Sequence, residues 1–292
     1  MAAAQKVCVL TGAHGFVGGG LRLYLESHGW RVVGWSREPD TGEGEVQFRL
    51  GEDVNASLFS GVDALVHCAY DFEPRQWDEI AATNVAGSEK LLRAARQAGL
   101  EHVVLISSLS AFTGCRSLYG KAKVETEAHA LAAGAYVLRP GLVYGDNPGG
   151  MFGRLVAQVK HARLLPVLWG GNQLQYLVHQ LDLGHVVHTC LEGRLPPPAE
   201  PLPVAHDRGW ELKVILRQLA RTLGKRVWFL PVPWQLVWLA LKSMETAGLK
   251  PRFRSDSLIS MVYQNPRPNF AALRALGFNC RPFRLEPGMI GQ

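Results

Sequence analysis

Cysteine is scarce in this chain of 292 residues, and the five present (Cys8, Cys68, Cys115, Cys190, Cys280) are scattered and odd in number. None forms a CxxC pair, which argues against a disulfide scaffold and a zinc site and predicts reduced thiols in a cytoplasmic compartment. Charge is also sparse: charged residues make up 19% of the chain, and no Lys/Arg run concentrates the net +6. A nucleic-acid partner is therefore not expected, and the diffuse charge reads as that of an ordinary basic enzyme acting on a small molecule. No apolar run reaches the roughly 20 residues of a membrane-spanning helix. The most apolar stretch, residues 228–241, is rich in tryptophan but interrupted by Pro231 and Pro233. It reads as a helix packed on a substrate domain; the sharper alternative is a greasy substrate entrance or a peripheral membrane contact. Residues 1–6 run directly into an apolar segment, so no signal peptide is expected. Repeats and low-complexity tracts are missing as well, and a 47% hydrophobic composition suffices for a large core.

What is present is an alternation of strand and helix patterns. Residues 7–10, 31–35, 63–67 and 102–106 are short apolar runs of the kind that fill a buried parallel sheet. Residues 17–28 have helical periodicity stopped by Gly29, and 76–98 predicts one long helix. This predicts an α/β fold, a Rossmann doubly wound parallel sheet with right-handed crossovers. The link from 37 to 64 has little helical pattern, so one crossover is expected to be rudimentary. After the strand at 136–140, Gly and Pro become frequent and joints such as 196–198 separate helices. A discontinuous division follows: residues 1–145 with about 171–207 as the dinucleotide-binding domain, and about 146–170 with 208–292 as a smaller, mostly helical substrate domain.

Gly12, Gly15 and Gly18 follow the first strand and open a helix, with His14, Phe16 and Val17 between them. The first glycine permits a tight turn, the second lets backbone approach a pyrophosphate, and the third lets helix and strand pack closely. The diphosphate is expected at the helix N-terminus. At the end of the second strand, where an NAD site commonly carries a carboxylate, the chain has Ser36 and Arg37. These suit a 2′-phosphate, so NADP(H) is preferred, with NAD(H) as the alternative.

Tyr119 and Lys123 are four apart and share a helix face one turn from each other. A neighbouring ammonium, with a positively charged nicotinamide, favours the phenolate and makes Tyr119 a general acid/base. Lys123 can also hold the nicotinamide ribose. Ser108, at the tip of the fourth strand, is placed to polarise a substrate oxygen. Ser107 is a near-equal candidate for that hydroxyl, and Lys121 a weaker rival for the cation, on another face.

These residues resemble the short-chain dehydrogenase/reductase superfamily, specifically its extended branch of NAD-dependent epimerase/dehydratase-like proteins. The resemblance runs through Thr11 to Gly18, His67-Cys-Ala69, Asn84-Val-Ala-Gly-Ser88, the Ser-Tyr-Lys set, Leu138-Arg-Pro-Gly-Leu-Val-Tyr-Gly145 and Val178-His179 with Asp182. It implies that Cys68, Ala69, Tyr70, Asn84, Ser107, Pro140, Gly141 and Val143 join the cofactor site. For His179 the plainer reading is a packed histidine, and for Asp182 a helix cap. Departures bear on substrate. Leu109 and Ser110 stand where the 4,6-dehydratases carry an acidic pair, and only 11 positions separate Ser108 from Tyr119. Gln175 stands where nucleotide-sugar enzymes often place an arginine, while Arg267 can still meet a phosphate. Ser110, Gln175 and Arg267 are therefore the substrate candidates.

The expected activity is NADP(H)-dependent interconversion of a secondary alcohol and a ketone through Ser108, Tyr119 and Lys123. The alternatives are a nucleotide-sugar epimerase with tightly held NAD and a catalytically silent dinucleotide-binding protein. A homodimer is common in the resembled branch.

Overall fold

A computed structural model describes residues 5–38, 44–195, 199–251, 253–286 and 288–290. The joint at 196–198 and residues 1–4 lie outside the described residues. In chain order the first half comprises β1 (Val7–Thr11), α1 (Phe16–Ser27), β2 (Arg31–Ser36), β3 (Glu45–Gln47), β4 (Ala64–His67), α2 (Trp77–Ile80), α3 (Gly87–Gln97), β5 (His102–Ile106), α4 (Leu118–Ala132) and β6 (Tyr136–Pro140). Then follow β7 (Leu142–Tyr144), α5 (Gly150–His161), β8 (Leu164–Leu168), β9 (Leu174–Gln175), β10 (Leu177–His179), α6 (Gln180–Leu191), β11 (Leu202–Val204), β12 (Trp210–Glu211) and α7 (Leu212–Thr222). The chain continues through β13 (Trp228–Val232), α8 (Trp234–Thr246), α9 (Ser255–Val262) and α10 (Ala271–Ala275).

Seven strands form one parallel sheet in the order β11-β6-β5-β4-β1-β2-β3. The expected doubly wound α/β fold is present. Its central strands are buried on both faces, which is why they read as unbroken apolar runs. Strand order reverses beside β1: the chain moves outward to β2 and β3, then returns to β4. Thr11 is in register with both Trp35 and His67, so three strand ends open together at this switch point.

The link after β2 has no α-helix among its described residues, only β3 and one 3-10 turn at Ala56–Phe59. The helix expected over 76–98 is present but not uniform. α2 passes through a π segment at Ala81–Ala86 before α3 begins. Such segments insert a residue into the helical repeat and often mark functional sites.

One apolar cluster lies on each face of the sheet: Leu10, Leu21, Val66, Leu138 and Val187 on one, and Leu65, Leu91, Leu105, Val137 and Trp35 on the other. A further cluster gathers Tyr144, Phe152, Leu165, Ile215, Leu219 and Phe283 beyond the C-terminal ends of the strands. The chain end then returns to the sheet, where Phe270, Leu273 and Phe278 join the first cluster.

Candidate active site

The strand ends meet the N-termini of α1 and α4 above the switch point. After Thr11 the chain turns at Gly12, whose φ of +70° disfavours any residue with a side chain. A Cβ on Gly18 would overlap the Gly12 carbonyl oxygen, so helix and turn can approach this closely only with glycine there. α1 begins at Gly15 with no side-chain cap and no acidic residue in its first turn, which leaves its positive end for an anion.

Thr11 ties this turn to the next strand. Its Oγ1 accepts the N–H groups of Cys68 and Ala69 at 3.2 Å and lies 2.7 Å from His67 Nδ1. His67 Nε2 lies 2.9 Å from Ser88 Oγ, and that hydroxyl donates to the Asn84 carbonyl at 2.6 Å. Burial pushes His67 down to about 3, so it is a neutral link in this chain. Asn84, inside the π segment, accepts the Asp71 N–H at 2.7 Å and donates to the Asp71 carbonyl at 3.0 Å. It therefore shapes the loop after β4, and is buried behind that loop instead of lining the cleft.

Tyr119 and Lys123 lie in the first two turns of α4. Ser117 caps this helix by accepting the Gly120 N–H at 3.0 Å, and Asp256 of α9 accepts the N–H groups of Leu118 and Tyr119 at 2.6 and 3.1 Å. The Tyr119 ring meets Tyr70 edge-on at 4.9 Å and stacks with Phe72 at 5.8 Å. Burial pushes its phenol up to about 12; a hydrogen bond from Ser108 opposes this, and the Glu127 carboxylate adds to it. Lys123 is not among the groups that shift this phenol, so the expected pull of the cation toward the phenolate does not register here. Lys123 Nζ donates to the Ile106 carbonyl at 2.9 Å and lies 5.3 Å from the Tyr70 ring centre. Burial lowers it to about 8, against the pull of Cys68 and Glu127.

The two serines at the tip of β5 diverge. Ser107 is buried and donates to Glu127, which also receives a two-pronged contact from Arg139 with Nε at 2.8 Å. Ser108 Oγ accepts the Ser110 N–H at 3.1 Å and faces Tyr119. Lys121 is exposed on the far side of the helix.

The strand ends open into one cleft of about 1260 Å³, larger than the ordinary range of small-molecule pockets. It gathers Gly12, His14, Gly15, Phe16, Val17, Gly18, Ser36, Arg37, Cys68, Ala69 and Tyr70. Ser107, Ser108, Ser110, Tyr119, Lys123, Pro140, Gly141, Val143 and Gln175 complete the expected set on its wall. Arg267 does not join them: it is exposed, beyond the cleft residues Asn265 and Pro268, and only its backbone N–H is held, by Asn265. Four unforeseen arginines line the cleft instead: Arg49, Arg75, Arg154 of α5 and Arg254, which directly precedes α9. Arg254 donates to the Phe72 carbonyl at 2.9 Å, and Ser260 of α9 donates to Ser110 at 3.0 Å. Two further plain readings can be compared with the geometry. His179 caps α6 by accepting the Leu181 N–H at 3.2 Å, whereas Asp182 is no cap and holds the backbone and guanidinium of Arg281.

The residues present fit a dinucleotide. The glycine cradle has no room for a Cβ at Gly18, and three buried polar atoms on the cleft residues, Ser36 Oγ, Gln175 Nε2 and Arg254 Nε, have no hydrogen-bond partner among the described residues. The model of the NAD-dependent epimerase/dehydratase family matches residues 8–198. The chain belongs to that family. It is 27% identical over 264 residues to UDP-glucose 4-epimerase of Vibrio cholerae, covering 78% of this chain and 79% of the relative. It is 30% identical over 240 residues to ceramide reductase of Caulobacter vibrioides, covering 79% of this chain and 74% of that protein. Among solved structures, MoeE5 in complex with UDP-glucose and NAD superposes with a TM-score of 0.67 at 23% identity, over 88% of this chain and 97% of MoeE5. The family is thus one of NAD-dependent enzymes. The expected preference for NADP(H) gains no support from these relatives, and Arg37 is already engaged, 2.9 Å from Glu73 and 3.5 Å from Asp71. Among the described residues, no helix is long and apolar enough to cross a membrane.

Proposed function

We propose that this family member is a nicotinamide-dependent oxidoreductase that interconverts a secondary alcohol and a ketone. The observation that carries the reading is the convergence of Ser108, Tyr119 and Lys123 on the cleft that begins at the glycine turn. A nicotinamide dinucleotide held on the glycine turn and by Lys123 would supply or accept the hydride. Tyr119 Oη gives a proton to the carbonyl oxygen in reduction and takes one from the alcohol in oxidation. Its phenol is held protonated at neutral pH, which suits the reductive direction. Ser108 Oγ accepts the Ser110 N–H and is hydrogen-bonded to Tyr119, so its hydroxyl would turn from Tyr119 to the substrate oxygen on binding. Lys123 has three donors and uses one on Ile106, which leaves two for the nicotinamide ribose and the electrostatics of Tyr119. Similarity to a ceramide reductase supports the reductase reading.

A titration tests the role given to Lys123. Its ammonium is lost as pH rises through about 8, while Tyr119 keeps its proton up to about 12. The kcat/KM for carbonyl reduction is therefore expected to be level below pH 8 and to fall by about tenfold per unit above it. A profile that stays flat for roughly two units above that value contradicts the role of the cation.

The choice of dinucleotide is assigned to Ser36 and Arg37. A 2′-phosphate has to draw Arg37 away from Glu73, whereas a 2′-hydroxyl leaves the ion pair intact. If NADP(H) is the preferred cofactor, Arg37→Ala weakens NADPH binding by about 10–100-fold and leaves NADH within about twofold, as loss of one charged hydrogen bond requires. Equal weakening of both, measured by fluorescence titration, contradicts the preference.

The second reading is a nucleotide-sugar epimerase that retains NAD. It is favoured by similarity to the Vibrio epimerase and by Arg154 and Arg254, two guanidinium groups in a cleft with room for more than the cofactor. Release and identification of the nucleotide that co-purifies separates the two. Stoichiometric NAD⁺ supports the epimerase, and an empty site that binds the reduced cofactor reversibly supports the reductase.

A further inference from the structure

The strands β8 and β13 pair in parallel, with Trp228 opposite Leu164 and Leu230 opposite Pro166. Leu165 and Val167 point inward, so Leu164, Pro166, Trp228 and Leu230 make up the outer face of the ribbon, and every one of them is apolar. Trp228 is 74% exposed. Two residues beyond the ribbon the chain enters α8, which buries none of its residues although Leu236 and Leu239 are 62% and 58% exposed. A soluble surface rarely collects this much apolar side chain without an occupant.

The charge around this face indicates the occupant. Residues 147–181 and 212–244, which supply α5, β8, α7, β13 and most of α8, contain nine Lys/Arg and no Asp or Glu; of the nine, Arg154 lines the cleft and Lys213 is paired with Glu211 at 3.1 Å. The exposed cations Arg163, Lys225 and Arg226 stand at the entry to the paired strands, where the Trp228 N–H donates to the Arg163 carbonyl at 2.7 Å. Arg217 lies 5.3 Å from the Phe229 ring centre. A second copy of the chain docking through the same face would bring Arg163, Lys225 and Arg226 against their own counterparts, which opposes a symmetric pair. Apolar side chains bordered by the exposed cations Arg163, Lys225 and Arg226 complement a surface with anionic headgroups above hydrocarbon.

We infer that the face formed by β8, β13 and α8 docks peripherally on an anionic phospholipid bilayer. Leu236, Leu239, Trp228 and Leu230 enter the interface, and Arg163, Lys225 and Arg226 meet the headgroups. The docked face borders the cleft through α9, since Glu245 of α8 holds Ser255 at the start of α9 with bonds of 2.8 and 2.6 Å. The inference does not depend on the proposed reaction.

The test is flotation of the full chain with vesicles of phosphatidylcholine alone and of phosphatidylcholine mixed equally with phosphatidylglycerol. The expected result is partitioning onto the mixed vesicles only, reversed by salt. Lys225→Gln with Arg226→Gln should lower partitioning by about thirtyfold, at about fivefold per cation. Leu236→Asp with Leu239→Asp should abolish it while the protein stays folded, with a melting temperature lowered by no more than a few degrees, because both side chains are mostly in solvent. Quenching of tryptophan emission by brominated acyl chains reads insertion in the unaltered protein. Failure to float with the mixed vesicles overturns the inference. So does flotation that survives the two leucine changes, or a dimer in sedimentation that those changes dissociate.

Discussion

Tyr119→Phe is expected to lower kcat by about 10²–10⁴-fold, the usual worth of a positioned general acid/base, while dinucleotide affinity stays within about twofold. The substitution removes one oxygen and keeps the ring, so the contacts with Tyr70 and Phe72 persist. The capping of α4 by Ser117 and Asp256 is also untouched, because it involves backbone N–H groups. A loss of turnover therefore reports the proton at Oη and not the fold. The comparison needs both readouts, turnover and cofactor binding. Full activity in the variant contradicts the assignment of the proton to Tyr119. Loss of cofactor binding along with activity makes Tyr119 part of the dinucleotide site alone.

Gly18→Ala is expected to weaken both NADH and NADPH by at least about 100-fold, equivalent to about 2.7 kcal/mol. The added Cβ would overlap the Gly12 carbonyl oxygen and lie 2.9 Å from its carbon and 3.1 Å from Ala13 Cα. Those neighbours are backbone of the turn, which cannot rotate away as a side chain tip can, so the cradle itself has to open. Gly19→Ala is the matched control. Its Cβ meets only the Ala13 carbonyl oxygen at 3.5 Å, an ordinary contact, and alanine within a helix is favourable by roughly 0.8–1.0 kcal/mol. Isothermal titration of both variants decides the point. Wild-type affinity in Gly18→Ala contradicts the placement of the dinucleotide on this turn.

The parts of the account that were legible in the sequence are those carried by local spacing. Buried parallel strands announce themselves as short apolar runs, and 7–10, 31–35, 63–67, 102–106 and 136–140 lie within a residue or so of β1, β2, β4, β5 and β6. The glycine turn and the i,i+4 relation of Tyr119 to Lys123 are likewise local. Edge strands were not legible: β3 and β11 have three residues each, too few for a period to show. Helix α4 hid most of its inward face because the stripe it buries includes Thr126 and Glu127, which read as polar surface until the sheet is placed against them. Long-range contacts left no signal at all. Asp256 meets the α4 N-terminus across 137 positions, and Arg254 reaches the Phe72 carbonyl across 182. Arg37 was read alone, but the loop after β4 brings Asp71 and Glu73 to it. Arg267 was placed by its neighbours in sequence, whereas the cleft draws arginines from segments far from it in the chain, Arg49, Arg75 and Arg154 among them.

The measurement that bears most directly on the central claim is a multiple-turnover assay with reduced cofactor deuterated at the transferable position and a panel of ketones. The account predicts catalytic consumption of the cofactor, with deuterium on the new carbinol carbon of the product in excess over enzyme, and no such transfer by Tyr119→Phe. Stoichiometric NAD⁺ that stays on the protein, with a nucleotide sugar epimerised and no deuterium gained from added cofactor, would contradict it.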